Sequence, residues 1–299
     1  MYGHVTVDQI ISIDQFLKPG ITADALSKKT TLGGTGPNIA VSAAKLGCPT
    51  ALCAFIGPDF PGKYMDFMRD SGMIMDEVVT LDGEETSTCV IINDSELNTR
   101  VFFYQGPQGH ADSLGVRLTG MASRSSKVHF CTGQPSYYIS LMGELRGGPD
   151  ISLDPAQEVH RVWNAGLLKD ALSFADALFC NELEAETICR YLGIDDVLEA
   201  GPGLVVRTDG DRGSRAKVGD EVLSIPAVKA DRVVDVTGAG DNYRAGFYTA
   251  LYKGYDVPEA LVLAAAVSSF VVAEVGALTN VPSWDAVVER AEPYFGSIH

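Results

Sequence analysis

"VVDVTGAGDNYRAGFYTALYKG", Val233 to Gly254, is the stretch whose reading decides the fold. Two glycines and an alanine stand directly before a carboxylate, Asp241, where the pattern starts a helix. Val233 and Val234 read as the end of a strand, while Tyr243, Phe247, Ala250 and Leu251 recur at helical spacing. Gly254 suits the position just past the helix end. The unit is strand, glycine turn, helix. The first N–H groups of a helix have no internal partner, and the dipole adds about half a positive charge there, so an anion such as phosphate is favoured. Gly238 and Gly240 let the backbone approach closely. The Gly238, Ala239 and Gly240 amides are therefore expected to cradle a phosphoryl group, while Asp241 accepts the proton of an attacking hydroxyl. The same dipole is expected to keep Asp241 ionised. A plain N-cap aspartate on a tight turn would leave the same pattern.

Around this unit, strand and helix patterns alternate. "SKVHFCTG" (Ser126 to Gly133), "DISLDP" (Asp150 to Pro155), "ADALFCNE" (Ala175 to Glu182) and "GLVVRTDG" (Gly203 to Gly210) are short apolar runs ending in polar residues or glycine. That alternation predicts an α/β protein with a mostly parallel sheet covered by helices, in which ligands collect where strands end. "ETSTCVIINDSELNTRVFFY" (Glu85 to Tyr104) breaks the rhythm as a hairpin around "NDSE". Residues of about 11–32 and 85–106 are expected to form a small β-rich lid on a single domain spanning 1–299. "MYGHVTVDQIISIDQF" reads as a first strand, not a secretory signal. "ALVLAAAVSSFVVA" (Ala260 to Ala273) is too short to span a membrane and reads as a buried core helix.

The 39 acidic and 23 basic side chains give a net charge of −16, which repels nucleic acid and anionic lipid. Six cysteines without a C-x-x-C pair, in a chain large enough to need no disulfides, fit a reducing cytoplasm. Histidines show no metal-ligand spacing, and His110, after the hairpin, is the one marked for testing. Trp163 and Trp284 read as packing residues on helices.

"DVTGAGDNYRAGF" resembles the C-terminal signature of the ribokinase-like (PfkB) carbohydrate and nucleoside kinases, D-T-T-G-A-G-D, whose final Asp activates the acceptor hydroxyl. "LGGTGPNIAVSAAKLG" (Leu32 to Gly47) resembles the family's N-terminal signature, which implies that Gly33, Gly34, Gly36 and Asn38 meet the substrate sugar. "GHVTVD" resembles the first strand, ending in a substrate-binding Asp8. The implied fold is a three-layer α/β sandwich with a β lid. "NELE" is similar to the N-x-x-E motif, so Asn181 and Glu184 would help hold Mg²⁺ and the phosphates. Mg²⁺ takes oxygen ligands and keeps several waters, so one carboxylate with an amide neighbour is sufficient. "TDGDRG" resembles the T-x-G-x-x-G loop that lies against ATP, which assigns Thr208, Gly210 and Gly213 to the nucleotide, with Thr237 of the turn. Val236 departs from the signature by replacing its first Thr. Asp235 would hold a monovalent cation such as K⁺, a dependence left open at this point.

"GDNYRAGF", "FFYQGPQGHA" and "SLDPAQE" look most like a microbial nucleoside kinase branch. That implies ATP-dependent phosphorylation of a ribonucleoside 5′-hydroxyl. Asp8 and Asn38 would grip the ribose diol and Phe103 would offer the base an apolar surface. Gln134 and Gln157, each after a strand, are candidate polar contacts. A sugar kinase of the same fold, acting on ribose or fructose, is the alternative, and a non-catalytic binding protein ranks below both. No G-x-G-x-x-G follows the first strand and no P-loop pattern is present. Exposed lid edges lead to the expectation of a homodimer paired through the lids.

Overall fold

Apolar runs bounded by glycine and polar residues become strands of one central sheet, and the amphipathic stretches between them become its covering helices. The computed structural model describes residues 1–298 except Pro19 and Leu97, so these two positions of the lid stretches lie outside the described residues. In chain order the elements begin β1 (Thr6–Ile13), β2 (Ala25–Gly33), α1 (Thr35–Lys45), β3 (Ala51–Ile56), α2 (Gly62–Asp70), β4 (Ile74–Thr80), β5 (Thr88–Asn93) and β6 (Thr99–Tyr104). They continue with β7 (Lys127–Phe130), α3 (Pro135–Leu145), β8 (Asp150–Leu153), α4 (Ala165–Leu172), β9 (Ala177–Asn181), α5 (Glu182–Leu192) and β10 (Leu204–Thr208). The last are β11 (Ser214–Val218), β12 (Glu221–Ile225), α6 (Ala239–Tyr252), α7 (Val257–Val271) and α8 (Trp284–Ala291).

The main sheet runs β12-β11-β10-β9-β8-β7, parallel from β7 to β10 and antiparallel from β10 to β12. Tyr2 makes parallel bridges to both Phe130 and Cys53, so the chain's first residues join this sheet to the β3–β4 pair. Helices α3, α4 and α5 cover one face through Tyr137, Leu141, Leu168 and Ile188. Helices α1, α6, α7 and α8 cover the other through Ile39, Phe247, Leu261 and Val287. The chain therefore forms a three-layer sandwich. Helix α7 is the apolar core helix, and Gly246 of α6 packs so closely on its Ala264 and Val267 that a Cβ there would overlap them.

A separate four-stranded sheet has the order β2-β1-β5-β6. Asp8, Thr31, Cys89 and Phe103 lie in register across it, and so share one face.

Three local expectations need correction. Val233 and Val234 are exposed loop, not strand: their segment follows β12 as an irregular connection, pinned where Val234 and Asp235 N–H both donate to Val272 O at 2.8 and 3.2 Å. The first strand does not end at Asp8 but continues to Ile13, because β5 and β2 extend the ladder on both sides. Trp163 is buried yet sits in the loop before α4, whereas Trp284 does open α8.

Candidate active site

The turn before α6 is built around Gly238, its N-cap, at φ +74°, a conformation that side-chain-bearing residues seldom adopt. A Cβ at this position would also collide with Ala277, in the loop after α7. Asp235 anchors the turn by accepting the N–H groups of Thr237 and Gly276, both at 2.9 Å. Burial alone would raise the Asp235 pKa, but these bonds hold it below the ordinary carboxylate value. Asn242 ties the same turn inward, donating to Gly238 O at 2.8 Å and Ala277 O at 2.9 Å.

At the helix mouth, the Ala239 N–H donates to Val236 O at 3.1 Å. Those of Gly238, Gly240 and Asp241 meet no protein acceptor among the described residues. The expected cradle thus shifts by one residue: closure of the preceding turn uses the Ala239 amide, and the free donors are those of Gly238, Gly240 and Asp241.

Asp241 is half-buried beside these amides and accepts a hydrogen bond from Asn38 Nδ2 at 2.7 Å. The bond joins α1 to α6, as does Ser42 Oγ donating to Asn242 Oδ1 at 2.6 Å. Asn38 Oδ1 is buried without a partner among the described residues, leaving one acceptor open beside the carboxylate. Burial raises the Asp241 pKa to about 6, with the charge of Asp154 adding to the rise and Asn38 and Arg244 opposing it. Desolvation therefore outweighs the dipole that was expected to favour the charge, although a group of pKa about 6 is mainly ionised at neutral pH.

The remaining polar groups line up along the C-terminal ends of the parallel strands, where open α/β sheets bind ligands. Thr132, after β7, shares a 2.7 Å hydrogen bond with Thr35 at the start of α1. Asp154, after β8, accepts from Arg244 Nε at 2.7 Å, and both are almost fully buried. Asn181, the last residue of β9, and Glu184 form a capping box: Glu184 N donates to Asn181 Oδ1 at 2.9 Å and Asn181 N to Glu184 Oε2 at 2.8 Å. Asn181 Nδ2 adds a third bond, to Glu184 Oε1 at 2.8 Å. Burial, followed by repulsion from Asp154, pushes the Glu184 carboxyl up to about 7. Thr208, the last residue of β10, leads into a turn through Gly210 and Gly213, closed by Asp209 N donating to Gly213 O at 2.8 Å. Arg207 grips Asp209 through two hydrogen bonds of 2.8 and 3.0 Å, which stiffens that loop.

On the other flank, the Asp8 carboxylate lies over Gly33 so closely that a Cβ there would overlap it. Thr6 Oγ1 donates to Asp8 at 2.6 Å, and burial raises the Asp8 pKa. Gly34 and Gly36 pack on the backbones of His4 and Gly3, seating α1 against the first residues of the chain. Phe103 meets the His4 ring edge-on at 5.2 Å and the Arg161 guanidinium at 5.3 Å. Behind it, Glu158 accepts from Gly133 N at 2.6 Å and Arg161 at 3.2 Å. Gln134 turns away to accept from Asp112 N at 2.8 Å. Gln157 is exposed and makes no hydrogen bond among the described residues. His110 pairs at the surface with Glu84 at 3.1 Å.

Sequence reasoning missed Asp154 and Arg244. Both carried a signal: Asp154 directly follows the "DISL" run, and Arg244 stands three residues after Asp241, on the same face of the helix. The His4, Glu158 and Arg161 group had none, because His4 lies more than 150 residues before the other two and meets them only on folding.

The pfkB family carbohydrate kinase model matches residues 1–116 and 150–284. A nucleoside kinase of Methanocaldococcus jannaschii is 33% identical over 98% of this chain and 96% of its own. Its crystal structure, described as an archaeal member of the ribokinase family, superposes with a TM-score of 0.90, covering 98% and 97% of the two chains. A nucleoside kinase of Methanothermobacter thermautotrophicus is 34% identical over 98% of this chain and 95% of its own. A Burkholderia thailandensis nucleoside kinase solved with inosine shares the fold, with a TM-score of 0.88 at 23% identity over 99% and 96% of the chains. With the signature turn, its carboxylate and the sheet order in place, the chain belongs to the pfkB family of carbohydrate kinases.

Proposed function

We propose that this kinase transfers the γ-phosphoryl group of ATP to the 5′-hydroxyl of a ribonucleoside, with Asp241 as the base. The carrying observation is Asp241 itself: a carboxylate oriented by Asn38 at 2.7 Å, at a helix mouth whose Gly238, Gly240 and Asp241 amides are free. As the acceptor oxygen bonds to the γ-phosphorus, its proton passes to Asp241 and the bond to the β-phosphate oxygen breaks, releasing ADP. The free amides and the helix dipole stabilise charge on the moving group. Thr208, Gly210, Gly213 and Thr237 are proposed to hold the nucleotide.

Asp8 and the open Asn38 Oδ1 are proposed to take the ribose hydroxyls, and Phe103 to face the base. The four-stranded sheet is proposed to close over them as a lid. Closure excludes water that would otherwise compete for the phosphoryl group.

Glu184, with Asn181 bonded to it at 2.8 Å, offers oxygens at the end of β9 toward a divalent cation. Among the described residues no group of three or more His, Cys, Asp or Glu is placed to hold a metal ion by itself. Mg²⁺ arriving with ATP and keeping its waters fits such a site, with Glu184 and Asn181 nearest in role; bound there, it would neutralise phosphate charge. Asp235 would share its oxygens between the two turn amides and a monovalent cation such as K⁺.

The full-length likeness to nucleoside kinases favours a nucleoside over ribose or fructose. The lid exposes Phe102 and Tyr104 on edge strand β6, beside an apolar groove lined by Ile11, Ile13, Phe16 and Ile92. Pairing of two lids into a homodimer would cover both. No helix among the described residues is long and apolar enough to cross a membrane. All six cysteines are free thiols, which supports a cytoplasmic location.

The test is a coupled ADP-release assay with ATP and Mg²⁺ against inosine, adenosine, guanosine, cytidine, ribose and fructose. Higher kcat/KM for at least one nucleoside than for either sugar is expected. Preference for a sugar would overturn the acceptor assignment, and no turnover with any would overturn the activity.

A further inference from the structure

Behind the reacting carboxylate lies a buried ion pair that the kinase mechanism described above does not use. Arg244 follows Asp241 by three residues on α6, is 4% exposed, and donates through Nε to Asp154 Oδ2 at 2.7 Å. A buried pair with a single removable partner is an expensive thing to place in a core, and burial alone is weak evidence that it stabilises the fold. Its position suggests another duty. The guanidinium lies directly against the first turn of α6: Nη1 is 3.3 Å from Gly240 O and equally close to where a Gly240 Cβ would stand. Gly240 is also one of the residues whose amide is free at the helix mouth. The charge is therefore fixed beneath the turn that carries both the base and the anion-binding donors. Asp154, at the end of β8, fixes where that charge sits.

Resting on the reading of Asp241 as the base, we propose that Arg244, locked in place by Asp154, is a positioning residue that lends the turn bearing Asp241 and the phosphoryl-binding amides a fixed positive charge from the protein interior. The titratable neighbours support this assignment. His129 from β7 lies 3.6 Å from Asp154 and is held neutral by burial. Cys131 after β7 and Tyr243 are pushed up to about 12, and Cys180 of β9 and Tyr248 higher still. Arg244 and His129 hold the Asp154 carboxyl below the ordinary carboxylate value against its burial, so Asp154 stays charged, and Arg244 is the cation that opposes protonation of Asp241.

The experiment compares wild type, Arg244→Lys, Arg244→Met, Asp154→Asn and the double variant Asp154→Asn/Arg244→Met. kcat, nucleoside KM and the pH profile of kcat/KM are measured on protein with a cooperative melt. Loss of the cation in Arg244→Met should move the acid limb upward by about one pH unit or more. kcat should fall on the order of tenfold to a hundredfold. Nucleoside KM should stay within about threefold, since Arg244 touches the turn and not the acceptor flank. Arg244→Lys, which retains a charge without the planar fork, should restore most of the limb but not all of kcat. Should Arg244→Met fail to fold because it strands Asp154, the double variant removes both charges. Its acid limb should then lie above that of Asp154→Asn, which differs from it only in Arg244. Coincident limbs in either pair, or a KM that rises in step with a fall in melting temperature, would reduce Arg244 to packing and overturn the proposal. Failure of the kinase reading looks different, because wild type itself would then phosphorylate no nucleoside.

Discussion

Replacing Asp241 with asparagine is expected to stabilise the protein while nearly abolishing turnover. The exchange is isosteric, and the amide oxygen can still accept from Asn38 Nδ2, so the 2.7 Å link between α1 and α6 survives. What disappears is a charge that the fold holds at a cost. The Asp241 pKa is raised to about 6 against an ordinary 3.8. Each pH unit corresponds to about 1.4 kcal/mol, so the ionised form costs about 3 kcal/mol at neutral pH if fully shielded. The side chain is only half-buried, and solvent screening reduces that to about 1–2 kcal/mol. For a chain of this size the melting temperature should rise by about 2–6 °C at pH 7.5. Loss of the proton acceptor should lower kcat by about 10²–10⁴-fold, while nucleoside and ATP binding persist. Calorimetry at pH 7.5, isothermal titration with nucleoside, and ADP release together read all three effects. A variant that melts below wild type would refute the account of the raised pKa, and one that keeps near-normal kcat would refute the role of base.

The pH profile of wild-type kcat/KM should rise through about pH 6 and level off above 7, because the base works only when ionised; a profile flat from pH 5 to 8 would contradict it. Glu158 and Glu184 are both raised to about 7, so each binds its proton more tightly folded than unfolded, and stability falls as pH rises through that value. Between pH 8 and 6.5 the free protein should therefore gain about 1 kcal/mol, read as a higher melting temperature, and a melting temperature that falls over this range would count against the buried carboxyls. Gly238→Ala should cost about 1–3 kcal/mol from its φ of +74° and its contact with Ala277, and should depress kcat more than KM by displacing the free amides; unchanged kinetics would show that the turn tolerates a side chain. Phe102→Glu should convert a lid-paired dimer to monomers in sedimentation equilibrium, and a wild type that sediments as a monomer would remove that surface from the interface.

Much of this molecule was legible in one dimension because its chemistry is local. A glycine turn followed by a helix and a carboxylate is a short-range pattern, and the apolar runs ending in Phe130, Leu153, Asn181 and Thr208 have the period and length of parallel strands. The family resemblance rested on those same contiguous residues. Boundaries were less secure: Val233 and Val234 have strand-forming side chains, but no neighbouring strand is there to pair with them, and β propensity has little force without a ladder.

Tertiary structure decided the properties that depend on distant groups meeting away from water. Folding brings Asn38 to Asp241 across 203 residues of chain, and the ionisation of that carboxylate is governed by burial and by Asp154 rather than by its own helix. Arg244 and Asp154 are 90 residues apart, and no spacing rule links them. Sequence by itself determined the turn, the helix and the order of the strands' chemistry, since those follow from steric and periodic constraints over a few residues. Which amides remain free, which carboxyls keep their protons and which cation faces them were decided only by packing, because electrostatics in a low-dielectric interior depends on distance in space and not on separation along the chain.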